Sequence, residues 1–329
     1  MTSTRLDRRG FLVAASGALA GFACGEDPAA APAPAARHEF PSYVVGANTA
    51  ITGLGFFDAV DVLAEIGFPT IEVQNLDGVL EPTEGKFPGF RLDELGEAEK
   101  ERIRESLQPF ERVTVHLPYP PEMNYIAPDA EEAVAALERA LDAAAFVGAK
   151  IAVLHPQPSG ADLTADWSHA VERIRRWGSM AEDRGFRLAC ETSMPASVPD
   201  LLRFHDEINN PAVGVTLDVG HQSRFAELAH VEKADYASEE GVRAYNDLNA
   251  RLVRELGDRL IHLHVHDIDP ETWAEHKPLI HGFVDYPQLI AALREIEYDG
   301  ALVFEIGGDP DAMPGYLRDG KEKLEAFLL

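Results

Sequence analysis

From Tyr43 onward, short apolar runs alternate with longer stretches in which apolar residues recur every three or four positions. The short runs, at 43–47, 70–74, 112–116, 150–154, 187–191, 213–218, 260–265 and 301–305, predict β-strands. The longer ones, among them 129–148, 165–184, 238–255 and 314–328, predict amphipathic helices between the strands. Strict alternation of strand and helix predicts an α/β fold with a parallel sheet. Eight such units favour closure into a (β/α)8 TIM barrel over 39–329. An open doubly wound sheet shares the alternation, but the sequence has no glycine-rich dinucleotide or phosphate-loop fingerprint. That absence also leaves no expected nucleotide cofactor.

Successive side chains on a strand point to opposite faces, so each run divides into two sets. In 113–117, Val113, Val115 and Leu117 are expected to face the helices, and Thr114 and His116 the barrel interior. The outward sets continue with Leu188 and Cys190, with Val213, Val215 and Leu217, with Ile261, Leu263 and Val265, and with Leu302, Phe304 and Ile306. The inward sets are Ala189 and Glu191, then Gly214, Thr216 and Asp218, then His262, His264 and His266, then Val303 and Glu305. Cys190 therefore reads as core and not as a nucleophile.

Inward polar residues gather at the last position of each strand, where barrel enzymes place their chemistry. In order these are Glu72, His116, His155, Glu191, Asp218, His264 and Glu305, with His221 three residues after Asp218 and His276 after the seventh strand. A ring of carboxylates and imidazoles around one mouth is unfavourable to bury without a cation, because the carboxylates repel one another. Mixed His, Glu and Asp donors suit a divalent transition metal (manganese, zinc, cobalt or iron) better than calcium or magnesium. His262 lies deeper and is expected to be structural. His38, His169, His205 and His230 fall in the linker, helices or loops and are expected to lie outside the site.

Before the barrel, residues 1–24 contain Arg8-Arg9 followed by Phe11-Leu12 and a weakly apolar Ala/Gly-rich run ending at Cys24. This is similar to a twin-arginine signal, which implies the twin-arginine export machinery as a partner and a periplasmic or outer-surface location. The apolar run is too short for an ordinary membrane span. Cys24 is a candidate lipidation site and the one expected route to a membrane, although Gly21 stands where a lipobox prefers Leu. Residues 25–38, rich in Ala and Pro, read as a tether.

Composition narrows the partners. With a formal net charge of −27, the protein repels phosphate backbones, and nucleic acid is not an expected partner. Two cysteines give no disulfide framework.

Seven runs together resemble the xylose-isomerase-like barrel superfamily, which includes sugar isomerases and epimerases and the endonuclease IV family. They are Val-His-Leu-Pro-Tyr (115–119), Leu-His-Pro (154–156), Cys-Glu-Thr (190–192), Leu-Asp-Val-Gly-His (217–221), His-Val-His-Asp-Ile-Asp (264–269), Glu-His-Lys-Pro-Leu-Ile-His-Gly (275–282) and Phe-Glu-Ile (304–306). The epimerase branch implies one metal held by Glu191, Asp218, His264 and Glu305. Glu191 and Glu305 would be the catalytic pair, moving a proton next to a carbonyl through a metal-stabilised enediolate. His221 would hold a substrate oxygen, His116 and His155 would line the pocket, and Glu72 would bind substrate. The endonuclease branch implies a metal cluster, with ligands added from His116, His155, His221 and His276. His266 belongs with these as a residue for a second metal or for substrate. The chain departs from that branch at Ala274, where the branch carries a metal-binding aspartate.

The expected activity is a metal-dependent isomerisation or epimerisation of a small molecule, a neutral sugar or polyol. The alternatives are a multinuclear metallohydrolase or phosphodiesterase, a lyase acting on a keto-sugar by the same proton abstraction, and an exported sugar-binding protein with a vestigial site. A homodimer is implied by the resemblance alone.

Overall fold

The computed structural model describes residues 38–329, except 52, 75, 77, 82, 84–86, 121–122, 159 and 280. The signal at 1–24, with Cys24, and the tether up to residue 37 lie outside the described residues. Eight parallel strands close into a barrel in sequence order, and β8 pairs with β1. The strands are β1 (Val45–Asn48), β2 (Thr70–Gln74), β3 (Arg112–His116), β4 (Ile151–Leu154), β5 (Arg187–Glu191), β6 (Val213–Asp218), β7 (Leu260–Val265) and β8 (Ala301–Phe304). The helices are α1 (Phe56–Ile66), α2 (Glu97–Leu107), α3 (Glu131–Phe146), α4 (Trp167–Asp183), α5 (Val198–Ile208), α6 (Glu239–Leu256), α7 (Tyr286–Glu295) and α8 (Met313–Leu328). β1 starts two residues later than the apolar run suggests, because the Val44 amide closes a turn on the Pro41 carbonyl at 3.0 Å.

Local chemistry explains several boundaries. Gly67 ends α1 in the left-handed region, φ 82°, and its amide satisfies the Leu63 and Ala64 carbonyls. Ser197 caps α5 by accepting from the Asp200 amide at 3.2 Å, with Pro199 in the first turn, where a missing N–H does no harm. Ser238 and Asp285 cap α6 and α7 in the same way, accepting from the Gly241 and Gln288 amides at 3.0 and 2.9 Å.

The outward residues of the strands pack with the helices in one continuous apolar layer that includes Val115, Leu188, Cys190, Val215, Leu217, Leu263, Leu302 and Phe304. A separate small cluster, Ile151, Val153, Ala189 and Ile261, fills the barrel interior. Ile261 was expected on the outward face and is corrected here. Val215 pairs with Leu260 and Thr216 with His262, so Ile261 is an extra residue on β7, a β-bulge. Gly214 accommodates it, since a Cβ there would lie 2.7 Å from Ile261 Cδ1. The bulge resets the alternation: Leu260 joins the outer layer, and the even-numbered residues from His262 onward face inward.

Candidate metal centre

Four strands deliver donors to one point. Glu191 is the last residue of β5, Asp218 the last of β6, His264 the fifth of β7, and Glu305 follows β8. His264 Nδ1 lies 2.9 Å from Glu305 Oε2, 3.1 Å from Glu191 Oε1 and 3.8 Å from Asp218 Oδ2. The structure brings these four side chains together. Glu191, Asp218 and His264 are buried, and the Glu305 side chain is 16% exposed.

Glu191 is crowded on its other oxygen. His155 Nε2 lies 2.9 Å and His116 Nε2 3.3 Å from Oε2, while His221 Nδ1 is 3.6 Å from Oε1. Burial opposes charge on Glu191, but His155, His264 and His116 hold its carboxyl well below the usual range. Burial likewise opposes charge on Glu305, and His264 beside it brings its pKa down to about 2. Burial disfavours a cationic His264, yet Glu305, Glu72 and Glu191 outweigh that and raise it well above the ordinary imidazole value. Tyr119 stacks on His155 at 4.0 Å with 9° between the rings, a contact the sequence reading missed. Its position three residues after His116, in Val-His-Leu-Pro-Tyr, was the available signal.

A second group adjoins the first through Asp218. Its Oδ1 accepts from the Gly220 amide at 2.7 Å and lies 3.6 Å from His266 Nε2. The His266 and His276 rings are 4.5 Å apart. His276 reaches this place because the chain after β7 folds back, with the Asp267 and Lys277 amides each donating to the other's carbonyl at 2.6 and 2.9 Å. His276 itself sits at φ 62°, unusual for a side-chain-bearing residue, and its Nδ1 is 2.9 Å from the Glu305 carbonyl. Glu275 pairs through Oε1 with Arg224 at 2.9 Å, and its Oε2 lies 4.0 Å from His221 Nε2. Burial lowers the His266 pKa to about 4, so its ring is neutral at neutral pH.

Glu72 is corrected. It was expected at a strand end touching substrate, but it is the middle residue of β2, with Gln74 at the end paired to His116. It is 0% exposed and bonded to Thr114, His262 and His264 beneath the mouth. His262 lies deep in the barrel, as its position suggests, with Nε2 3.0 Å from Glu72 Oε2. His38, by the Tyr298 carbonyl, His169 on α4, His205 in α5 and His230, by the Glu227 carbonyl, all lie away from the centre.

The donor set fits a cation. Asp218 Oδ2, His221 Nδ1 and both ring nitrogens of His266 are buried without a hydrogen-bond partner. Such orphaned atoms are unfavourable unless something else occupies their lone pairs. Glu72/His262/His264, His116/His155/Glu191, His116/His264/Glu305 and Asp218/His266/His276 each bring ligand atoms within 4.8 Å of one another. Among the described residues, no Lys or Arg side chain is paired with Glu191, Asp218 or Glu305.

A family model for the xylose isomerase-like TIM barrel matches residues 60–327. The chain is 24% identical over 211 residues to an uncharacterized protein of Methanocaldococcus jannaschii, a match that spans 59% of this chain and 62% of that protein. Among solved structures, a D-tagatose 3-epimerase-like protein aligns over 88% of this chain and 97% of its own at 20% identity, TM-score 0.63. D-psicose 3-epimerase from Clostridium cellulolyticum H10, solved with D-tagatose, aligns over 87% and 99% at 16% identity, TM-score 0.66. The 3-keto-D-glucoside 4-epimerase of E. coli aligns over 86% and 98% at 20% identity, TM-score 0.59. At these identities the shared property is the fold.

Proposed function

The chain belongs to the xylose isomerase-like TIM barrel family, and from that premise we propose that it is a metal-dependent isomerase or epimerase of a neutral sugar or polyol. The observation that carries this reading is the convergence of Glu191, Asp218 and Glu305 on His264 Nδ1 within 4 Å. Glu191, Asp218, His264 and Glu305 would hold one divalent transition metal, manganese, zinc, cobalt or iron. It would supply Lewis acidity to substrate oxygens beside the carbonyl.

The chain's own groups do the rest. Glu191 and Glu305 come from β5 and from the end of β8, on different sides of the mouth. Their lowered pKa values keep both ionised at neutral pH, the form in which a carboxylate can accept a proton. One takes the proton from the carbon next to the carbonyl, and the other relays a proton from solvent to the opposite face, while the first later gives its proton back to solvent. Exchange with solvent resets the pair, so protons balance over a turnover. His155 and His116 hold Glu191 Oε2, and the flat stack of Tyr119 on His155 offers an apolar wall for a sugar. Arg224 is engaged by Glu275 at 2.9 Å, which leaves it less available to a phosphate. The sugar epimerase structures of the same fold support this substrate class.

The test is deuterium incorporation from D2O next to the carbonyl of neutral ketoses, read by NMR. The wild type should exchange. Glu191→Gln and Glu305→Gln should each lose about 10²–10⁴-fold in rate. Near-normal exchange in both variants would sink the assignment.

His266 favours a second reading, in which a second cation joins Asp218, His266 and His276 and the chemistry is hydrolytic. Its support is that both nitrogens of the fully buried His266 ring lack partners. Elemental analysis of chelator-free protein separates the two. About one metal per chain supports the proton shuttle. Two or more, falling by one in His276→Ala, supports the hydrolase. Export is proposed as well, supported by Arg8-Arg9 ahead of Phe11-Leu12.

A further inference from the structure

We propose that Glu72, sealed beneath the carboxylate ring, selects the tautomer of His264 and so decides which of its nitrogens is offered to a metal. The proposal rests on the reading above that His264 is a ligand.

Glu72 crosses the barrel interior from β2 to β7. Its Oε1 is 3.1 Å from His264 Nε2, and its Oε2 is 3.0 Å from His262 Nε2. The Thr114 hydroxyl, from neighbouring β3, donates to Oε2 at 3.1 Å. Glu72, His262 and His264 are all 0% exposed. No substrate reaches Glu72, so its influence on the centre passes through the ring it holds.

An ionised carboxylate only accepts hydrogen bonds. The nitrogen facing Glu72 must therefore carry the proton. A ring that ligates a metal is neutral and keeps one proton, so with Nε2–H held by Glu72 it is Nδ1 that offers its lone pair. Nδ1 is the atom that faces Glu305, Glu191 and Asp218. Those carboxylates pull the other way: Glu305 and Glu191 lie within hydrogen-bond distance of Nδ1 and would accept its proton, and Asp218 at 3.8 Å adds its charge. Without Glu72 they would favour the tautomer that cannot ligate. Glu72 is the counterweight, and it is fixed in place by its own donors. His262 is the brace: it stands two residues before His264 on the same face of β7, its ring edge-on to the His264 ring at 5.4 Å. The β-bulge at Ile261 is what puts both rings on that face.

The same geometry separates Glu72 from an ordinary structural carboxylate. A structural role would require only that the buried donors be satisfied. A tautomer-setting role predicts an effect on metal affinity that protein stability does not report. Partners of metal-binding histidines typically change metal affinity by about 10–100-fold when mutated.

The experiment uses the full chain with zinc as the probe. Zinc affinity is measured by competition with a chromophoric chelator for the wild type, Glu72→Gln and Glu72→Ala. The protonated nitrogen of His264 is read from imidazole ¹⁵N shifts in the zinc-loaded wild type. The expected result is a proton on Nε2 of His264. Glu72→Gln, which keeps an acceptor oxygen without the charge, should weaken zinc about 10-fold, and Glu72→Ala nearer 100-fold. Variants that melt earlier yet bind zinc as the wild type does would overturn the proposal. If neither variant folds, the wild-type tautomer decides: Nε2–H upholds the proposal and Nδ1–H overturns it. If the wild type takes up no zinc, the metal reading fails separately. The tautomer of neutral His264, read at alkaline pH, then decides the proposal by the same criterion.

Discussion

Gly220→Ala is the sharpest test of the packing around the centre. Gly220 has φ −97° and ψ −21°, a conformation any residue adopts, so the substitution carries no backbone strain. The obstacle is space. A Cβ there would lie 2.3 Å from His266 Nε2, 3.1 Å from His266 Cε1 and 2.7 Å from Glu275 Cβ. The backbone is held on both sides, its amide on Asp218 Oδ1 at 2.7 Å and its carbonyl by the Tyr245 hydroxyl at 2.5 Å. The His266 ring has 0% exposure and the His276 ring 4.5 Å away, so it has little room to retreat. Normal carbon contacts begin near 3.5 Å, which requires an opening of about 1 Å. Overpacking of this kind destabilises by about 1–3 kcal/mol. For a domain of this size each kcal/mol lowers Tm by roughly 2–4 °C. Gly315→Ala, in α8 with nothing within 4 Å of its Cβ position, is the control and should stabilise by about 0.5–1 kcal/mol. Denaturant unfolding of the three proteins gives the comparison. If Gly220→Ala unfolds within about 0.5 kcal/mol of the wild type, the rigid packing of His266 described here is wrong.

Two further outcomes concern groups away from the mouth. Burial, reinforced by Arg259 and opposed by Asp206, lowers the His205 pKa to about 4. In the unfolded chain His205 titrates near 6.5, so the unfolded state binds the extra proton between the two values. The contribution of His205 is therefore fully present above about pH 6.5 and lost as pH falls toward about 4, at most about 3 kcal/mol. Urea unfolding at about pH 7.5 and about pH 5 should show a smaller pH effect in His205→Gln; an unchanged pH effect would count against this account. Burial also pushes the Cys190 thiol up, and its side chain is 0% exposed. Peptide mapping should find Cys190 unlabelled by a thiol reagent in the native protein and labelled after denaturation; rapid native labelling would contradict its place in the core.

The strands and most of the centre were legible because both depend on local alternation. Along β6 the apolar residues Val213, Val215 and Leu217 alternate with Gly214, Thr216 and Asp218, and along β5 and β8 the parity of Leu188, Cys190, Leu302 and Phe304 aims Glu191 and Glu305 inward. Glu72 was misplaced although the run 70–74 already puts it mid-strand; pairing of Glu72 with Thr114 and of Gln74 with His116 shows which residue reaches the mouth. That pairing is a property of the closed barrel and is not written in one strand. The bulge was equally hidden. Ile-His-Leu-His-Val alternates without interruption after Leu260, and the pairing with β6 shows that Ile261 is the extra residue. His276 could be suspected from its position after β7, but its approach to His266 needs the reversal held by Asp267 and Lys277 and a left-handed backbone.

Closure of β8 onto β1 has a consequence for the order in which the molecule comes into being. Residues 191 and 218 are made early, 264 later, and Glu305 only after the final strand. A nascent chain stalled before β8 lacks both the seam that closes the cylinder and the carboxylate nearest His264 Nδ1. The four-donor centre is therefore incomplete in every chain that stops short of Glu305, and its last donor arrives with the strand that closes the barrel.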